Sequence, residues 1–129
     1  MTLDGVIGFF HLIGAAVWVG GLITIGAVVP ALRRAGAERP QLQAMARQFG
    51  RVSWAAMGLA VAGGFWLVDE TERTWSDLEL KVGLVAVTIA IAALHQLTAR
   101  RTTAVQRGAI QGAILLLSLA IFAVATGID

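Results

Sequence analysis

The feature that most constrains this chain is a long apolar stretch near its beginning. Residues 5–32 contain no Asp, Glu, Lys or Arg, and the flanking charges are Asp4 and Arg33. A helix rises about 1.5 Å per residue, so this stretch exceeds the ~30 Å needed to cross the hydrocarbon core of a bilayer. The stretch therefore predicts a first membrane-spanning helix at about residues 4–32.

Three more apolar segments predict further spans, at about residues 41–68, 77–99 and 102–128. The connection between the last two is so short that these helices must be antiparallel neighbours. Charged residues make up 14% of the chain, against about 25% in an ordinary soluble domain. The sequence thus predicts an all-α fold, a single integral membrane domain built as a four-helix antiparallel bundle, with the lipid bilayer as its surroundings.

The distribution of charge predicts the orientation of the helices. The net charge of +2 is small and indicates no nucleic-acid partner. Basic residues instead concentrate after the first and third spans, with Glu38 as the acid among them. They are Arg33, Arg34, Arg39, Arg47, Arg51, Arg100, Arg101 and Arg107. Acids dominate the opposite side, which includes the acidic loop 69–77. The positive-inside rule then predicts an inner-membrane protein with both termini on the non-cytoplasmic side.

Polar residues within the spans recur at intervals of seven and should therefore share one face of each helix. Such residues are costly in a bilayer and usually face the interior of a bundle. The sets are His11 and Trp18 with Gly14 and Gly21, then Lys81, Thr88 and His95, then Gln111 and Ser118.

Depth along the helices separates the two histidines. His11 and Lys81 each lie ~6–10 Å from the same predicted side, whereas His95 lies ~21 Å deeper than Lys81. One haem b held between both histidines is therefore not expected. A haem with one histidine and another ligand remains open, as do two separate sites, and Met57 could supply a thioether ligand.

Each polar residue also has a purely structural interpretation. Either histidine could simply form a hydrogen bond with a neighbouring helix. Lys81 could extend towards the headgroups, and Met57 could serve only in packing. The chain has no cysteine, which excludes disulfides and thiolate metal sites. No hydrolase triad, P-loop or zinc-protease motif is present in the sequence.

Two segments resemble known membrane families. They are His11-x6-Trp18-x-Gly20-Gly21 and Leu80-Lys81-Val82-Gly83-Leu84-Val85, with His95 downstream. Both resemble the transmembrane domain of the copper-resistance protein D (CopD) family, and also HemJ-type protoporphyrinogen oxidases associated with haem b. The resemblance implies a ligand-facing role for His11, and a lysine and histidine pair at Lys81 and His95.

Three hypotheses follow. The first is a CopD-like protein that holds haem b or copper near its non-cytoplasmic side. Its candidate cofactor-binding residues are His11, Lys81, His95 and Trp18, and its candidate metal ligands are His11, His95 and Met57. The second is a HemJ-type, haem-dependent protoporphyrinogen oxidase or electron-transfer protein. The third is a non-catalytic accessory subunit of a larger membrane complex. As partners of the chain, a homo-oligomer and a larger membrane complex both remain open.

Overall fold

The computed structural model describes residues 1–70 and 75–126, apart from the side chains of residues 69, 70 and 75–77. Within that part, four α-helices follow one another and no strand occurs. They are α1 (Leu3–Arg34), α2 (Arg39–Glu70), α3 (Trp75–Thr98) and α4 (Ala104–Ala125). All four are long and apolar enough to cross a membrane. The predicted all-α fold with four spans is therefore confirmed, and the chain is an integral membrane protein. The predicted acidic loop, 69–77, lies outside the described side chains.

The helix ends follow local capping. α2 begins two residues before the predicted start, because Pro40 is tolerated in a first turn whose backbone donors have no partner inside the helix. The Glu38 carbonyl accepts the backbone N–H of Leu42 at 3.1 Å. α4 begins two residues after the predicted start, because Thr103 and Gln106 form a reciprocal capping box.

The end of α1 is set by glycine rather than by proline. The helix continues past Pro30 to Arg34. Gly36 then adopts φ +88°, a left-handed conformation that favours glycine. The N–H of Ala37 reaches the Leu32 carbonyl at 2.9 Å. This is the hydrogen-bond pattern of a Schellman motif, which turns the chain into α2.

The first of two compact units contains α1 and α2. The two helices are antiparallel and approach each other very closely at glycines. A Cβ atom added to Gly14 would lie 2.6 Å from the Ala56 carbonyl oxygen and 2.8 Å from the Ala60 nitrogen. One added to Gly63 would lie 2.9 Å from the Cβ of His11. The missing side chains therefore allow backbone-to-backbone contact, as small residues do in membrane helix pairs.

The second unit contains α3 and α4. Their turn is fastened by Arg107, whose guanidinium donates to the carbonyls of Thr102 at 2.6 Å and Ala99 at 3.2 Å. The Ala99 carbonyl also accepts the hydroxyl of Thr102 at 3.2 Å, so that side chains rather than a helical ladder satisfy the carbonyls of this turn. The hydroxyls of Thr88 and Ser118, both buried, each donate to a carbonyl of their own helix.

We expect Gly14→Ala to destabilise the first unit, because the added methyl would meet backbone atoms that cannot rotate away. Overpacking of this kind costs about 1–3 kcal/mol. The measurement is thermal unfolding in detergent, followed by circular dichroism. The control is Gly20→Ala, on the same helix, where a new Cβ meets nothing within 4 Å. Equal melting temperatures for the two variants would contradict the close contact.

Candidate cofactor site around His11

His11 faces α2 because of its spacing from the residues that pack there. Gly14, three residues later, contacts the α2 backbone, and Trp18, a full heptad later, is only 6% exposed. In a continuous helix, positions three, four and seven apart share a face. Trp18 and Gly14 thus face α2, and His11 lies at the same contact.

The imidazole of His11 makes one hydrogen bond to α2. Its Nδ1 lies 2.6 Å from the carbonyl oxygen of Ala60. A carbonyl oxygen can only accept, so Nδ1 must carry the proton and donate. In the neutral ring, the other nitrogen, Nε2, then has a lone pair and no proton. Metal-binding histidines commonly use this arrangement, in which a carbonyl holds one ring nitrogen and orients the other.

Two glycines of α2 provide the surface on which the ring rests. A Cβ on Gly64 would lie 3.3 Å from Cε1 of His11 and 3.5 Å from its Nδ1. A Cβ added to Gly63 would collide with the Cβ and Cα atoms of His11. Larger residues at these positions would push α1 away and lengthen the bond to Ala60. The glycine pair and the histidine therefore form one packing unit.

This packing limits what the site can hold. Because α1 and α2 touch through their backbones at Gly14 and Gly63, a flat macrocycle does not fit between them at the level of His11. A haem could bind Nε2 of His11 only from outside this contact. A copper ion is much smaller than a macrocycle and needs no gap between the helices, and imidazole is one of its usual ligands.

Trp18 and Met57 belong to the same unit as His11. The Trp18 ring packs edge to face against Trp54, with centroids 5.9 Å apart. Met57 is buried and lies one turn before Ala60 on α2. Geometry therefore links Trp18 with Trp54, while a role for Met57 as a ligand stays a prediction.

Lys81 and His95 lie on α3, in the second unit. Both are half-buried, and Thr88 between them is completely buried. The Nδ1 atom of His95 is the one buried side-chain polar atom without a hydrogen-bond partner among the described residues. Such an atom is unusual in a folded protein. His95 thus lacks, at Nδ1, the backbone acceptor that fixes the ring of His11.

Some features of the site were not predicted from the sequence. The first is the Ala60 carbonyl as the partner of His11, and the second is the Trp18–Trp54 pair. A third is the hydrogen bond from Nε1 of Trp66 to Asp4, at 3.2 Å. The many small residues of α2 indicated that another helix could approach it closely. They did not identify the Ala60 carbonyl as the partner of His11, because every residue has a main-chain carbonyl.

Comparisons with known proteins do not place the chain in a family. No protein-family model, no curated protein and no solved structure matches it. Within residues 1–70 and 75–126, no three His, Cys, Asp or Glu side chains gather as a metal-binding group. The fold defines the class, an integral membrane protein of four apolar helices.

We expect His11 to be the Nδ1-protonated tautomer. Nitrogen-15 NMR of histidine-labelled protein in detergent, stripped of bound metal, should show a protonated Nδ1 and an unprotonated Nε2. The variant His95→Asn leaves a single histidine and so assigns the signals. A protonated Nε2 with a bare Nδ1 would be incompatible with the bond to Ala60.

Proposed function

We propose that this protein is a CopD-like membrane protein that holds copper or haem b through Nε2 of His11. The observation that carries the proposal is the hydrogen bond from Nδ1 of His11 to the Ala60 carbonyl. It orients the ring and leaves Nε2 as an unprotonated ligand atom. A metal bound there would supply one-electron redox chemistry.

The chain's own residues would have distinct tasks at this site. Gly63 and Gly64 let the imidazole lie against α2, and the Ala60 carbonyl keeps its proton on Nδ1. The paired rings of Trp18 and Trp54 pack α1 against α2 deeper along the helices.

Orientation is part of the proposal. The Arg-rich segments after the first and third spans favour the cytoplasmic side of an inner membrane. His11 lies in the third turn of α1, at the opposite end from Arg33 and Arg34. The cofactor would therefore lie near the non-cytoplasmic surface, where it could exchange metal or electrons with components outside the cytoplasm.

The test separates ligation from packing by means of His11→Asn. The side-chain amide nitrogen of asparagine can replace Nδ1 as the donor to Ala60, but asparagine has nothing in the place of Nε2. We expect protein purified after copper or haem supplementation to show bound copper or a Soret band. His11→Asn should lose this signal and keep the melting temperature of cofactor-free wild-type protein, because a bound cofactor itself stabilises the folded state.

The matched control is Thr24→Ala, another polar residue on α1. Its hydroxyl donates to the Gly20 carbonyl of its own helix at 2.7 Å and is exposed. This variant should keep the cofactor. Wild-type protein with neither copper nor haem would overturn the proposal, and so would His11→Asn with full cofactor content. Stable co-purification with a partner, without any cofactor, would instead support an accessory subunit.

A further inference from the structure

The first unit carries an apolar groove between the beginning of α1 and the end of α2. Its volume is about 260 Å³. We call it the N-terminal groove, and its lining residues are Ile7, Phe10, Leu59, Ala62, Gly63 and Trp66. Every lining side chain is apolar apart from the indole N–H of Trp66. The groove is therefore suited to a hydrocarbon ligand.

The groove is open along one side and follows the helices. Phe10, Leu59 and Trp66 are each between 41% and 47% exposed. From Leu59 to Trp66 the groove extends for ~10 Å along α2. Helices that cross a bilayer run roughly parallel to the lipid chains around them. An acyl chain could therefore lie lengthwise in this groove without bending.

A carboxylate stands at the end of the groove nearest the helix terminus. The indole of Trp66 donates to Oδ1 of Asp4, which is exposed in the first turn of α1. Tryptophan is typical of the level where headgroups meet acyl chains. An ionised carboxylate has several acceptor positions, and one indole N–H uses only one of them. The polar end of the groove can therefore still accept hydrogen bonds from a cationic donor.

We propose that the N-terminal groove binds a phospholipid with a primary-amine headgroup, of the phosphatidylethanolamine type. One acyl chain lies along Ile7, Leu59 and Ala62, and the ammonium group donates to the carboxylate of Asp4. Complementary charge selects this headgroup. Phosphatidylglycerol brings a net negative charge towards Asp4, and the quaternary amine of phosphatidylcholine has no N–H to donate. The lipid proposal does not require a cofactor at His11, although Gly63 contributes both to the groove and to the packing of that histidine.

The experiment is native mass spectrometry of delipidated protein in detergent, with equal amounts of the three lipids added. We expect wild-type protein to retain phosphatidylethanolamine over phosphatidylglycerol by roughly two- to five-fold, in the range of an exposed charge pair. Asp4→Asn should remove the preference, because asparagine keeps an acceptor for Trp66 but loses the charge. Glu38→Gln, which removes an acid in the α1–α2 connection, should keep it.

A second pair of variants tests the apolar part. Ala62→Leu fills the groove and should reduce bound lipid of all three types, whereas Ala27→Leu makes the same change at an exposed position on α1, far from the groove. Equal lipid retention by these two variants would overturn the site. Equal retention of the three lipids by wild-type protein would overturn the headgroup assignment. Circular dichroism confirms that each variant keeps its helices.

Discussion

The close contact between α1 and α2 is the constraint on which the rest of the first unit depends. Gly14 and Gly63 leave no side chain between the two backbones. Only at this separation can an imidazole on α1 reach a carbonyl of α2 with a 2.6 Å hydrogen bond. Gly63, which has no side chain, also leaves the surface beside it unfilled, and this space is part of the N-terminal groove. Packing, ring orientation and the apolar groove therefore share one cause.

Several polar groups within the spans form hydrogen bonds, and these bonds are of two kinds. Hydroxyls such as those of Thr24, Thr88 and Ser118 donate to the preceding turn of their own helix. This local bond suits hydrocarbon surroundings because it needs no second helix. His11 instead bonds across to α2. A hydrogen bond to another helix forms only when the two helices pack together. The orientation of the His11 ring is therefore a property of the folded α1–α2 pair, as expected for a residue of a binding site.

Much of the fold followed from the sequence, since length and apolarity alone define a span. The predicted starts of α2 and α4 each differ by two residues from the observed starts. Pro40 lies in the first turn of α2, and Thr103 caps α4. Trp18 and Gly14, which the sequence pattern placed on one face of the first helix, both lie against α2. The partner of His11 was beyond prediction, because it is a main-chain oxygen that every residue possesses. A cofactor at His11 and the ligand roles of Lys81 and His95 stay predictions, because the spacing of residues along a helix does not encode the geometry of a ligand.

The position of the His11 bond in the chain has a consequence for biogenesis. The two bonded residues are 49 positions apart, and both belong to the first two helices. Chains are synthesised from the N-terminus, and their early units can fold first. The imidazole can therefore reach its final orientation as soon as α2 has entered the bilayer, while the ribosome is still translating the second half of the protein.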